Sequence, residues 1–163
     1  MKKPSKKLVI IIIAAVLVVA IAVAAVAIVL GGGDFGKVKW GMTPDEIRTR
    51  ASGKIVTDSE YHMTFKTDNL EGVSAETNVF YNFDGIKGLW QVSAGYEMAG
   101  FDDKLADKFI KAFEEKYGDE YEYKETLTAY EYRWTNDRTM IRISQQQTYL
   151  LVTFTDINYV VEN

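Results

Sequence analysis

A chain of 163 residues with one His and no Cys is the length of a single ordinary domain, and it excludes disulfides and thiolate metal sites. Of its 19 Lys and Arg, four (Lys2, Lys3, Lys6 and Lys7) stand at the N-terminus, so the rest of the chain sets 15 basic residues against 23 Asp and Glu, a net charge of −8. That balance disfavours nucleic acid and anionic lipid as partners, and no cluster of Lys and Arg interrupts it.

After the basic tail, residues 1–7, every position from 8 to 30 is Ala, Val, Ile or Leu. At about 1.5 Å per residue this run makes a helix of about 35 Å, enough to cross a hydrocarbon core of about 30 Å. Positive charge stays inside, so the tail is expected in the cytoplasm and everything after the span outside. A cleaved signal peptide is the competing reading, because small-residue sites such as Ala22-Val23-Ala24 and Ala25-Val26-Ala27 are present. Signal cores run to about 7–15 residues, whereas this apolar run passes through both sites, which favours an uncleaved signal-anchor. The expectation is a single-pass cell-membrane protein whose C-terminal domain is extracytoplasmic. Gly31-Gly32-Gly33 stops the helix, residues 31–39 read as a flexible linker, and residues 40–163 form the folded domain. With no disulfides, an apolar core fed by the 21 aromatics has to hold that domain together.

The folded part opens on Trp40-Gly41-Met42-Thr43-Pro44-Asp45-Glu46-Ile47. Thr43 is placed to cap a helix, Pro44 suits its first position, and Glu46 completes a capping box. Met42 and Ile47 suit a hydrophobic staple, and Gly53 supplies the stop, so the spacing predicts a helix over 44–52. Brief strands are expected at 55–56 and 61–66, then an acidic loop over 68–72. A hairpin follows: Val79, Tyr81 and Phe83 alternate, Asp84-Gly85 turns the chain, and Trp90, Val92, Ala94, Tyr96 and Met98 fall on one face.

Asp102 or Asp103 is expected to cap a second helix, on which Leu105, Ala106, Phe109, Ile110, Phe113 and Tyr117 recur at spacings of three and four before Gly118 ends it. Alternation then returns at Tyr121 and Tyr123, at Tyr130, Tyr132 and Trp134, at Ile141 and Ile143 after a turn at Asn136-Asp137, and at Leu150, Val152 and Phe154. Residues 43–98 and 102–156 thus each read as one helix followed by three or four strands, the order expected of an internal duplication. An ordinary α+β domain without a repeat is the alternative. The expected fold class is α+β: an N-terminal transmembrane helix, then a tandem helix-plus-antiparallel-strands repeat forming one curved sheet with two helices on one face.

The Gly-Met-Thr helix start within Trp40 to Ile47, the Gly stop and the strands that follow resemble the opening of the repeat of the β-lactamase-inhibitor-protein group and of small outer-membrane assembly lipoproteins. The Trp-Gly-Met start and the Tyr117-Gly118 ending of the second helix are also similar to membrane-anchored proteins of Gram-positive bacteria. The resemblance implies a bacterial binding or scaffolding domain without catalysis that works through an open sheet face and hairpin tips. This chain has a span where the lipoproteins have a lipid-bearing Cys, and it lacks the disulfides of the secreted inhibitors.

Catalytic chemistry has little to build on. His62, between Tyr61 and Met63, reads as a strand residue, and 68–72 lacks the alternating acidic ligands of a calcium loop. No metal site, cofactor or enzymatic activity is expected. The candidate binding residues are those out of register with the apolar face: Arg133, Arg142, Tyr149 and Leu151. They point to a membrane-anchored module that binds an envelope or extracellular protein, or a peptide. The second reading is a structural or assembly accessory that acts through its span.

Overall fold

The structure is a computed structural model, and it describes residues 38–100, 104–136 and 138–161. The basic tail, the run 8–30, most of the linker, the Asp102-Asp103 cap and Asp137 lie outside the described residues. Among the described residues no helix is long and apolar enough to cross a membrane.

In chain order the elements are α1 (Pro44–Arg50), β1 (Lys54–Asp58), β2 (His62–Leu70), β3 (Val73–Asp84), β4 (Gly88–Glu97), α2 (Leu105–Tyr117), β5 (Glu122–Glu125), β6 (Ala129–Thr135), β7 (Thr139–Gln146), β8 (Tyr149–Asp156) and α3 (Ile157–Val161). The fold is α+β with one eight-stranded antiparallel sheet in the order β1-β2-β3-β4-β8-β7-β6-β5. Each helix-led stretch contributes a four-stranded meander, and the two meanders join where β4 pairs with β8, from Gln91 opposite Thr155 to Glu97 opposite Tyr149.

Helix α1 starts as its sequence demands. The Glu46 N–H donates to Thr43 Oγ1 (3.4 Å) and the Thr43 N–H to Glu46 Oε2 (3.0 Å), so each residue satisfies a backbone donor that the first turn leaves open. It ends at Arg50, before the expected Ser52, because Ala51 is already extended. Gly53, at φ +114, lies so close to β2 that a Cβ there would sit 2.5 Å from the Lys66 carbonyl oxygen.

The Trp-Gly-Met segment just before α1 has a structural task. The Gly41 N–H donates to Leu89 O and the Leu89 N–H to Met42 O, each at 2.9 Å, while the buried Trp40 Nε1 donates to Thr139 Oγ1 at 2.8 Å. One short segment thereby ties the start of the first meander to β4 and to β7 of the second. Gly88, at φ +74, permits the approach: a Cβ there would lie 2.4 Å from the Gly41 carbonyl oxygen. Val38 is fully buried, so the folded body takes in residues that the sequence pattern gave to the linker.

Three local features differ from expectation. Strands β2 and β3 run on to Leu70 and from Val73, and they turn on Glu71-Gly72 alone, at φ 53 and 88, so the acidic stretch 68–72 is a tight hairpin and not a loop. A register shift between Asn82 and Phe83 inserts an extra residue into β4, placing Leu89 in the core and turning Trp90 out to stack on Tyr159 with ring centroids 4.6 Å apart. Helix α3 follows β8 directly; Asp156 accepts from the Asn158 N–H at 3.1 Å and pairs with Arg138 at 3.0 Å.

The core lies on one face of the sheet. Cross-strand rows such as Phe65, Val79, Ala94, Val152, Ile143 and Tyr132 run from β2 to β6, and Ile47 of α1 with Ala106, Phe109 and Phe113 of α2 joins the same apolar cluster. Phe113 is the hub: its ring meets those of Phe109, Tyr117, Trp134 and Phe154 at centroid distances of 5.6–5.9 Å, edge-on or tilted. At the far end of α2, Lys116 pairs with the buried carboxylate of Glu71, which also accepts from the Tyr117 hydroxyl at 3.3 Å, binding the first meander's turn to the second unit's helix.

Candidate functional site on the open sheet face

Because side chains alternate along a strand, the residues between the core positions form the opposite face. Its central row runs Glu122, Arg133, Arg142, Thr153, Ser93, Phe80 and Thr64 from β5 to β2. A neighbouring row holds Lys124, Glu131, Ser144, Leu151, Gly95, Asn78 and Lys66. On the other side of the central row stand Met140, Thr155, Gln91, Asn82 and His62. All four residues singled out from the sequence therefore share this face. Arg133, Arg142 and Leu151 are neighbours near its middle on β6, β7 and β8, and Tyr149 stands two residues before Leu151.

The face is a mixture of short polar floor and longer projections. Thr64, Ser144, Thr153 and Thr155 are buried although α1 and α2 both lie on the other side, which longer neighbours such as Arg142, Leu151, Phe80 and Gln91 account for. A hydrogen-bond ladder crosses it, from Asn82 Nδ2 to Gln91 Oε1 (3.1 Å) and from Gln91 Nε2 to Thr155 Oγ1 (3.5 Å). Phe80 and Tyr149 are 39% and 40% exposed. The Tyr149 ring lies across β4 directly over Gly95, where an added Cβ would fall 1.7 Å from the Tyr149 hydroxyl oxygen. Glycine here gives the aromatic its seat.

The two arginines differ in their partners. Arg133 Nη1 pairs with Glu122 Oε2 at 3.1 Å, a solvent-exposed bridge of small energetic weight. Arg142 stands directly opposite Arg133, its Nε is buried without an acceptor, and no carboxylate pairs with it among the described residues. Like charges facing each other across a strand pair are unfavourable, and a buried unpaired donor costs stability, so this position is not optimised for the fold alone.

At the β2 end of this face, His62 opens the strand just after the β1–β2 turn. The Ser59 hydroxyl donates to the His62 carbonyl oxygen (2.8 Å) and accepts from the His62 N–H (3.1 Å), and the exposed imidazole Nδ1 lies 3.1 Å from Ser59 Oγ. Among the described residues no group of three or more His, Cys, Asp or Glu is arranged to hold a metal. A depression of about 650 Å³ is lined by Lys66, Asn78 and Glu97 of the open face and by Ala75, Tyr96 and Leu105 of the core side, so it is shared by both faces. At the hairpin tips Ile86, 96% exposed, and Leu127 stand fully in solvent, at opposite ends of the sheet.

Sequence reasoning missed Phe80, which sits among the polar partners of Val79, Tyr81 and Phe83; an aromatic out of register with its own strand was the available signal. It also missed Met140 and the Asn82–Gln91–Thr155 ladder, which exists only once β4 and β8 are paired. Compared with protein-family models, curated proteins and solved structures, the chain matches none.

Proposed function

We propose that this chain is a membrane-anchored, extracytoplasmic protein- or peptide-binding module without catalytic activity, and that the open sheet face is its binding surface. The single observation that carries the reading is the composition of that face: Phe80, Tyr149, Leu151 and Met140 beside Arg133 and Arg142, on the side of the sheet opposite the one into which α1 and α2 pack. Aromatic, Met and Arg side chains are enriched at protein interfaces, and on this face they stand among the Lys, Glu and Ser that any solvated face carries. Placement outside a single-pass cell membrane rests on the apolar run 8–30 and its basic tail.

The order of elements, one helix and four strands twice over, supports a duplicated unit like that of the inhibitor-protein and assembly-lipoprotein groups, with the strands merged into one curved sheet and both helices on one side. The fully exposed Ile86 and Leu127 fit hairpin tips that extend the contact.

The test is a series of Ala substitutions at Phe80, Leu151 and Tyr149 in the full chain, read by co-purification from crosslinked native cells. Loss of the same crosslinked protein in all three, with membrane association unchanged, is the expected result. Retention of every crosslinked protein would contradict a role for this face and return the function to the span.

A further inference from the structure

We infer that the open face recognises a carboxylate-bearing protein segment and that Arg142 receives the carboxylate. This rests on the open-face reading and adds the chemistry of the partner to it. A guanidinium has five donors in one plane and no acceptor, and two parallel N–H groups match the two oxygens of a carboxylate. Arg133 is already committed to Glu122, whereas Arg142 has no carboxylate partner; its Nε is buried, so the terminal pair of Nη groups is the fork it offers to a carboxylate. The residue directly opposite is a second Arg, and the other direct neighbour is Thr153, whose hydroxyl cannot neutralise a charge. Glu131, diagonal to Arg142 on β6, forms no ion pair with it. The result is a local positive site in the middle of a face on an acidic body.

The surrounding charge decides among anions. A body of net charge −8 repels a polyanion such as nucleic acid or an anionic bilayer over distances comparable with the Debye length, about 8 Å at physiological salt. A single Asp or Glu side chain senses mainly the adjacent guanidinium. Apolar groups flank the site on the same face, with Leu151 one position diagonal to Arg142 and Phe80 three strands away in the same row. At about 4.8 Å per strand this separates the carboxylate site from Phe80 by about 14 Å, or about four residues of extended chain. The segment that fits is therefore acidic at one point and apolar a few residues away.

Selection of a random peptide library against the full chain in detergent micelles tests this. The expected result is a several-fold enrichment of Asp and Glu among the selected peptides. A selected peptide should then bind Arg142→Gln at least about tenfold more weakly than the parent, with Arg142→Lys in between because it keeps the charge and loses the fork. Near-ultraviolet circular dichroism establishes that each variant is folded, and removal of the unpaired donor should leave the thermal midpoint of Arg142→Gln no lower than the parent's. If Arg142→Gln unfolds, the loss in Arg142→Lys relative to the parent decides. Peptides without acidic enrichment, or bound equally by the Arg142 variants but lost in Leu151→Ala, overturn the carboxylate chemistry and leave the open-face reading standing. Peptides indifferent to both positions, or no selected peptide at all, overturn both.

Discussion

The two faces of this sheet are built from the same strands yet obey different rules. On the core face, Phe65, Val79, Val92, Val152, Phe154 and Ile143 are each no more than 3% exposed, and they meet Ile47 and Phe113 from the helices. On the other face, no row is continuously apolar: the central one passes from Glu122 through two arginines and two short hydroxyls to Phe80. The core face follows packing, in which volume and shape decide. The open face departs from what stability alone favours at three places, the facing arginines, the unpaired Arg142 Nε and the exposed Phe80. The core face holds one such group, the buried Tyr96 hydroxyl without a partner, whereas three gathered on the open face mark the place where the chain has a task besides folding.

The contrast can be broken most severely from the core side. Phe113→Ala removes the ring that joins α2 to β6 and β8 and should cost about 3–5 kcal/mol, seen as a large fall in the thermal midpoint. Gly88→Ala forces a Cβ onto the Gly41 carbonyl in a backbone conformation that Ala disfavours, and about 2–3 kcal/mol should be lost in denaturant unfolding. The sharpest comparison uses adjacent residues of β8 that face opposite ways. Val152→Ala should destabilise by about 2 kcal/mol, whereas Leu151→Ala should stay within about 1 kcal/mol of the parent while weakening partner binding. Gly95→Ala displaces the Tyr149 ring from its seat; binding should fall while the near-ultraviolet signal of the core aromatics is kept.

The smallest effect is on pH dependence, and it belongs to neither face. Backbone N–H groups of Lys87 and Ile86 hold the Asp84 carboxyl below its usual range, the Arg48 guanidinium does the same for Asp58, and the Thr43 N–H for Glu46. Carboxyls depressed in the folded state stabilise it above their unfolded pKa of about 4 and lose that contribution as pH falls through the lower folded values. Stability should therefore be flat near neutrality and decline below about pH 4, and Asp84→Asn should make that decline shallower in acid titration followed by circular dichroism.

Much of the core face was legible in the sequence because alternation with period two and a clean helical stripe leave few alternatives: Val79, Tyr81, Ile141, Val152 and Phe113 all lie where their spacing puts them. What was hidden depended on single residues or on distant pairings. Nothing in Leu89-Trp90-Gln91 announces which of the three is the extra residue of a bulge, so Trp90 reads as core until β3 fixes its register. Asp68-Asn69-Leu70-Glu71-Gly72 has a loop's composition, and only the positive φ of both Glu71 and Gly72 reveals a two-residue turn. The β4–β8 pairing that merges the meanders joins residues more than fifty positions apart, and with it came Phe80's place beside the residues picked from the sequence. Those four, Arg133, Arg142, Tyr149 and Leu151, could be picked because each falls between the apolar positions of its own strand, on the face opposite them. The unpaired Nε of Arg142 could not, since it depends on what stands across from it.

Site-resolved photo-crosslinking in native cells tests the central claim most directly, with a benzophenone side chain placed in turn at Phe80, at Leu151 and at the exposed Lys111 on α2. The account predicts that the two open-face positions yield one and the same crosslinked protein and that Lys111 does not. Equal yields of that protein from the helix, or no protein adduct from either open-face position, would contradict it.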